Sequence, residues 1–408
     1  MPCVLSYGSS ASLALDLPSA ALVADCAAPH GETLRDVAGA VAGALAEPLD
    51  FPALSQATVP GDRIVLAIER ELPQTAELVA AVANYLVATG TAPEALTVLC
   101  PDAAAVEADD PRRLLPAEWR QKVACEMHDA SANERMGLLG SSHGGQAIYL
   151  SRTLLDADLV IAIGCQRCEP TLGYHGRHGG LFPTFSNTKT LDRFRKPHLA
   201  DHERGFEARA RREIDEVGWM LGAQFAVQVV PGAGESLLDV LAGDVRRVFE
   251  LGQERCQAAW NCTVPRRAQL VVAAISGGAG QQTWDNVGRA IAAASCAVAD
   301  GGAVALCTEL ATDPGASVCC LAYSEDLADA ERHIRRAAGS DALPAVAMAR
   351  LLDRAKLYLL SRLDEALVAD LGIAPVMSEA EVARLARRQD SYTLLANAQH
   401  ARVTALTD

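Results

Sequence analysis

At 408 residues the chain is long for a single hydrophobic core, which points to two domains. Half of it is hydrophobic but only 4% is aromatic, so Ala, Val, Leu and Ile must build the interior. A formal net charge of −15 argues against general nucleic-acid binding, and no stretch approaches the roughly twenty apolar residues of a membrane span.

The first residues, MPCVLSYGSS, lack the charged and apolar blocks of a secretory signal. CVLSYG has strand character, and ETLRDVAGAVAGALAEP reads as a helix with a small-residue face. DRIVLAIERELPQTAELVAAVANYLVATG gives a strand, a break and an amphipathic helix, and PEALTVLCP supplies the next strand. Strand, helix, strand in this order implies parallel pairing. Residues 102–135, Ala-rich and acidic, read as helix and surface loop.

GGQAIYLSRTLLDADLVIAIG then predicts a strand, a short helix and a strand buried on both faces. It releases into CQRCEPTLGYHGRHGGLFP, where two Cys, one Glu and two His crowd a glycine-rich loop. Ligands gather past the carboxyl ends of parallel strands, so this loop is the first candidate site. Cys165-x-x-Cys168 with His175 and His178 has ligand chemistry suited to zinc, while two buried thiols at a strand end are the plainer reading. Each histidine, likewise, is either a functional imidazole or a cap for loop backbone. The twelve cysteines, spread from Cys3 to Cys320, read as reduced and the protein as cytoplasmic.

A charged stretch from Asn187 to Arg212 follows, then REIDEVGWMLG as helix, FAVQVVPG as strand and LAGDVRRVFELGQERC as a closing helix. The second half opens with LVVAAISGGAG, a buried strand running into glycines, then the helix TWDNVGRAIAAASCAVADGG and the strand AVALCTEL. KLYLLS is a further strand and SEAEVARLARRQ a final helix. GGAG is not a dinucleotide fingerprint. The expected architecture is α/β: domains 1–260 and 268–408, each a largely parallel sheet flanked by helices, with a ligand cleft between them. The last helix is free to pack back on the first domain.

The glycine loop after Glu-Pro, the block ARREIDEVGWMLGAQFAVQVV with its LAGD, and the GG loop before TWDN together resemble the lactate racemase superfamily, from about Asp62 to Leu310. The resemblance implies two α/β domains, a nickel pincer nucleotide that accepts hydride, and racemisation or epimerisation of a small anionic 2-hydroxy acid. It implies that Arg70, in AIERELP, holds the substrate carboxylate, with Ala67 at the family's Asp position. No histidine follows the next strand, where the family has one and this chain has Asp102. Thr171 stands at the family's loop histidine and Gly179 at its cofactor-tethering lysine, so His175 and His178 become the candidate proton carriers. Gly176, Gly179, Gly180 and Lys189 are the candidate cofactor contacts, Lys189 as a substitute tether. His198 is the candidate nickel ligand, with His202 four residues on. Trp284, Asp285 and Asn286, close to Arg289 on the helix after the second glycine loop, are the candidate substrate wall. The competing expectation is a relative that binds a small anion in the same cleft without turnover, or with zinc.

Overall fold

A computed structural model describes residues 3–407 except 17, 27–28, 102–109, 170–172, 200–205 and 325; at 173–174, 196–199, 206–207 and 323 it describes the backbone only. Two six-stranded sheets carry the chain. The first runs, in spatial order, Leu237–Asp244, Phe225–Pro231, Leu159–Cys165, Ile64–Ile68, Leu96–Cys100, Ala124–Met127. Its strands are parallel except Leu237–Asp244, which pairs antiparallel at one edge. The second runs Ala374–Val376, Lys356–Leu360, Val298–Cys307, Ala268–Ala274, Tyr392–Leu395, Leu22–Cys26 and is parallel throughout.

The continuous apolar runs became the central strands, as burial on both faces requires. All five residues of Ile64–Ile68 and six of seven in Leu159–Cys165 are buried. Helices cover these faces. Thr75–Ala88 lies in the core with the first sheet, and Trp284–Ala297 and Ala342–Arg354 in the core with the second. Two helix starts are fixed by their own side chains. The Asp244 carboxylate accepts from Arg247 N at 3.0 Å, and the Thr283 hydroxyl from Asn286 N at 3.1 Å. The α/β class and the largely parallel sheets are as expected.

The strands Cys3–Tyr7, Ala11–Leu15 and Leu22–Cys26 lie with the second sheet, although they precede the first sheet in sequence. The hairpin Cys3–Tyr7/Ala11–Leu15 buries Leu5, Leu13 and Leu15 against Leu270, Val272 and Leu394, and Leu22–Cys26 forms an edge of the second sheet. These strands bury alternate residues only, and such a pattern says that one face is covered without saying by which sheet. The final helix, Glu379–Arg387, packs on Ala11–Leu15, so it does meet the start of the chain, but on the second sheet.

The cysteines hold one correction. Cys26 and Cys262, 236 residues apart with Cα atoms 6.2 Å from each other, form a disulfide, while the other ten are not disulfide-bonded. Nothing in their local sequence marks them as partners; folding brings them together. Among the described residues no helix is long and apolar enough to cross a membrane.

Candidate active site

Three segments converge on one cavity of about 550 Å³. The strand Ile64–Ile68 ends in Glu69, Arg70 and Glu71. The central strand continues into a short antiparallel pair, Arg167–Glu169 with Gly173–His175. From the second half, the helix Trp284–Ala297 presents Asp285 and Arg289 to the same space. The first two segments follow adjacent parallel strands, so their side chains emerge side by side at the carboxyl edge.

Glu69 is 4% exposed. One of its oxygens accepts from Cys165 N at 3.0 Å; the other lies 3.2 Å from His175 Nε2, within pairing distance though off the ideal hydrogen-bond direction. Two glycines make room for this pair. A Cβ on Gly180 would sit 2.7 Å from Glu69 Cγ, and one on Gly179 3.3 Å from His175 Cε1. Glu71, in the left-handed region at φ 55°, accepts from the Thr283 hydroxyl and from Arg289 Nη1. Arg289 Nε also donates to Glu169 at 3.2 Å, and Arg167 lies 3.7 Å from both Glu69 and Glu169.

Charges removed from water this completely persist only when paired. Burial pushes the Glu71 and Glu169 carboxyls up, but Arg289 and then Arg167 outweigh it and hold both below the ordinary range. Glu69 is lowered against the same burial by His175 and Arg167. Asp285 differs. Burial and then repulsion from Glu71 raise it to about 6, and Arg289 and Arg70 offset this only in part. It is therefore a carboxyl able to hold or release a proton near neutral pH. Arg195 lines the same cavity and pairs with Asp192 at 3.5 Å; burial and the positive charge of Arg70 lower it.

His175, Arg70, Asp285 and Gly179 therefore do share one cavity. Others among the expected residues do not. The His178 ring turns away: its Nε2 is 2.8 Å from the Ala223 carbonyl and its Nδ1 3.6 Å from Asp215, so it braces the loop on the helix Phe206–Met220. Trp284 is buried in the second core and donates to the Thr312 carbonyl at 3.0 Å. Asn286 donates to the Gln281 carbonyl at 2.8 Å and accepts from Arg289 at 2.6 Å, so it positions Arg289 instead of facing the space. Gly176, at φ 144°, backs onto Phe249 and Gln166, and Gly180 onto Glu69. Lys189 is exposed on the first turn of the helix Thr188–Leu199 and is absent from the cavity wall. The His198 side chain, and the whole of Asp102, Thr171 and His202, lie outside the described residues.

The Cys/His zinc arrangement does not assemble. Burial pushes the Cys165 thiol up to about 12, and the two imidazoles are engaged elsewhere. Among the described residues no three His, Cys, Asp or Glu side chains are placed to hold a metal. What the sequence reading missed is the ring of paired charges: Glu69, Glu71, Arg167, Glu169 and the role of Arg289. The available signal was E-R-E after one buried strand and R-C-E after its neighbour, which puts opposite charges at the same sheet edge.

A family model described as the lactate racemase N-terminal domain matches residues 7–205. The fold is similar to that of the lactate racemase apoprotein from Thermoanaerobacterium thermosaccharolyticum, with a TM-score of 0.77 at 17% identity over 99% of this chain and 100% of that one. A protein from Thermotoga maritima aligns with a TM-score of 0.66 at 11% identity over 90% of this chain and 97% of that one. No curated protein matches the sequence.

Proposed function

We propose that this chain is a member of the lactate racemase superfamily, an isomerase that racemises or epimerises a 2-hydroxy acid in the cavity between its two sheets. One observation carries the reading. His175 from the first half and Asp285 from the second open on the same space beside Arg70. A carboxylate settling between Arg70 and Arg195 would relieve their repulsion, and a guanidinium fork suits that group. Ionised Glu69 would hold the proton on His175 Nε2, 3.2 Å away, leaving the Nδ1 lone pair to accept a hydrogen bond from the substrate hydroxyl. Asp285 supplies the second proton site from the opposite wall. In this reading the units are the two sheets with their helices, divided near residues 260–268, and the first 26 residues belong to the second.

The superfamily's cofactor is a nickel pincer nucleotide. Its covalent attachment does not fit. Gly179 stands at the tether position, a side chain there would run into His175, and no lysine lines the cavity among the described residues. That mismatch favours a second reading, a relative that binds the anion without turnover. The two are separated by supplying one enantiomer of lactate or a longer 2-hydroxy acid to protein made with and without the cofactor pathway. Chiral chromatography then reports turnover, and elemental analysis reports nickel. Racemisation that Arg70→Ala abolishes at an unchanged melting temperature supports the isomerase. Binding without racemisation in both preparations supports the second reading.

A further inference from the structure

The charged end accounts for only part of the cavity. On the helix Trp284–Ala297 the wall residues are Asp285, Gly288, Arg289, Ala292 and Ser295, a stripe along one helical face. At 1.5 Å per residue, Asp285 to Ser295 spans about 15 Å. The helix Ala342–Arg354 runs beside it in the same direction. A Cβ on Gly288 would lie 2.9 Å from Pro344 Cα, and further along Arg354 donates to the Ser295 carbonyl. Opposite stand Leu191 and Phe194 of Thr188–Leu199.

Beyond Arg289 the wall is therefore mostly carbon: Ala292, Leu343, Val346, Ala347, Leu191 and Phe194. The arginines at the far end are already engaged. Arg335 and Arg350 share Glu331, and Arg354 pairs with Asp300 at 3.0 Å. Glu331 and Asp300 thus offset part of the charge at the far end, and between there and Arg289 the wall offers an occupant mostly carbon, more than a three-carbon acid would cover.

We propose that this arm receives the apolar substituent of the substrate, so that the preferred 2-hydroxy acid carries an alkyl chain much longer than a methyl group. This rests on the hydroxy-acid reading above. Titration calorimetry on the purified chain tests it, with unbranched 2-hydroxy acids from lactate to 2-hydroxydecanoate and the matching alkanoic acids. Kd is expected to fall about three- to fourfold per added methylene until the arm is full. Ala347→Trp and, independently, Ala292→Phe shorten the arm from different helices and should move the plateau to shorter acids, with thermal melts confirming intact folds. A flat series, or tighter binding of lactate than of every longer acid, overturns the proposal while leaving the hydroxy-acid reading in place. If both series gain with length but the hydroxyl adds nothing, the arm stands and the hydroxy-acid reading falls.

Discussion

The loops after Leu159–Cys165 and after Ala268–Ala274 begin alike, as a buried strand opening into glycines, and they end in different roles. In the first, Gly179 and Gly180 are small because the His175 ring and the Glu69 carboxylate occupy the space beside them. In the second, Gly277 takes φ 114° and donates its N–H to Gly8 O at 2.9 Å, while Gly278 N donates to Glu235 at 2.7 Å. Gln281 completes that clasp by donating to the Glu71 carbonyl at 2.9 Å. One loop yields to side chains of the cavity, the other to the backbone and carboxylates of neighbouring segments. Glycines at a strand end therefore announce a close approach, and the approaching group decides what the loop does.

The largest effect that would sharpen this contrast comes from the first loop. His175→Asn should lower turnover about 10²- to 10⁴-fold with an unchanged melt, whereas Gln281→Ala in the second should cost about 1 kcal/mol of stability in a urea titration. Equal losses of turnover from both would erase the distinction. Next, Arg289→Ala strands Glu71 and Glu169 without their shared cation and should destabilise by about 3–5 kcal/mol.

Asp285 gives an intermediate effect whose sign can be worked out. Its folded value, about 6, lies above the ordinary 3.8, so between those values the native state holds a proton that the unfolded chain has released. Stability should fall as pH rises through that window and then level off. Asp285→Asn should remove the fall and be more stable above pH 6 by up to about 3 kcal/mol. Glu71 and Glu169 have lowered values and contribute in the opposite sense, losing their share as pH drops below the ordinary carboxyl range. Chemical denaturation across pH separates the two signs. The smallest effect is that of His178→Phe, which gives up a hydrogen bond to Ala223 O at a cost of about 1 kcal/mol and should leave turnover intact. A collapse of turnover there would return His178 to the site.

Much of the fold was legible. LVIAIG, FAVQVVP and LVVAA became central strands, and the helix that opens with TWDN starts at Trp284 on its Thr283 cap. Of the candidate site, Arg70 and Asp285 were named from the resemblance and His175 from its glycine-rich loop, and all three line one cavity. Glu69 and Glu71 passed unnoticed because E-R-E after one strand looks like a solvated turn until it is set beside R-C-E after the neighbouring strand. His175 and His178 share a loop three residues apart, and Trp284 and Asp285 are neighbours on a helix. Within each pair, one member faces the cavity and the other the core.

By itself, then, the sequence determined the strands, the helices and the carboxyl edge at which chemistry collects, because hydrophobic period and glycine act over a few residues. Only the tertiary structure decided that Cys26 meets Cys262, that the first strands join the second sheet, and that Glu71 finds Arg289 from 218 residues away. These pairings depend on which buried surfaces meet. There Arg289 locks the buried Glu71 carboxylate into an ion pair, whereas burial and Glu71 push the Asp285 carboxyl up.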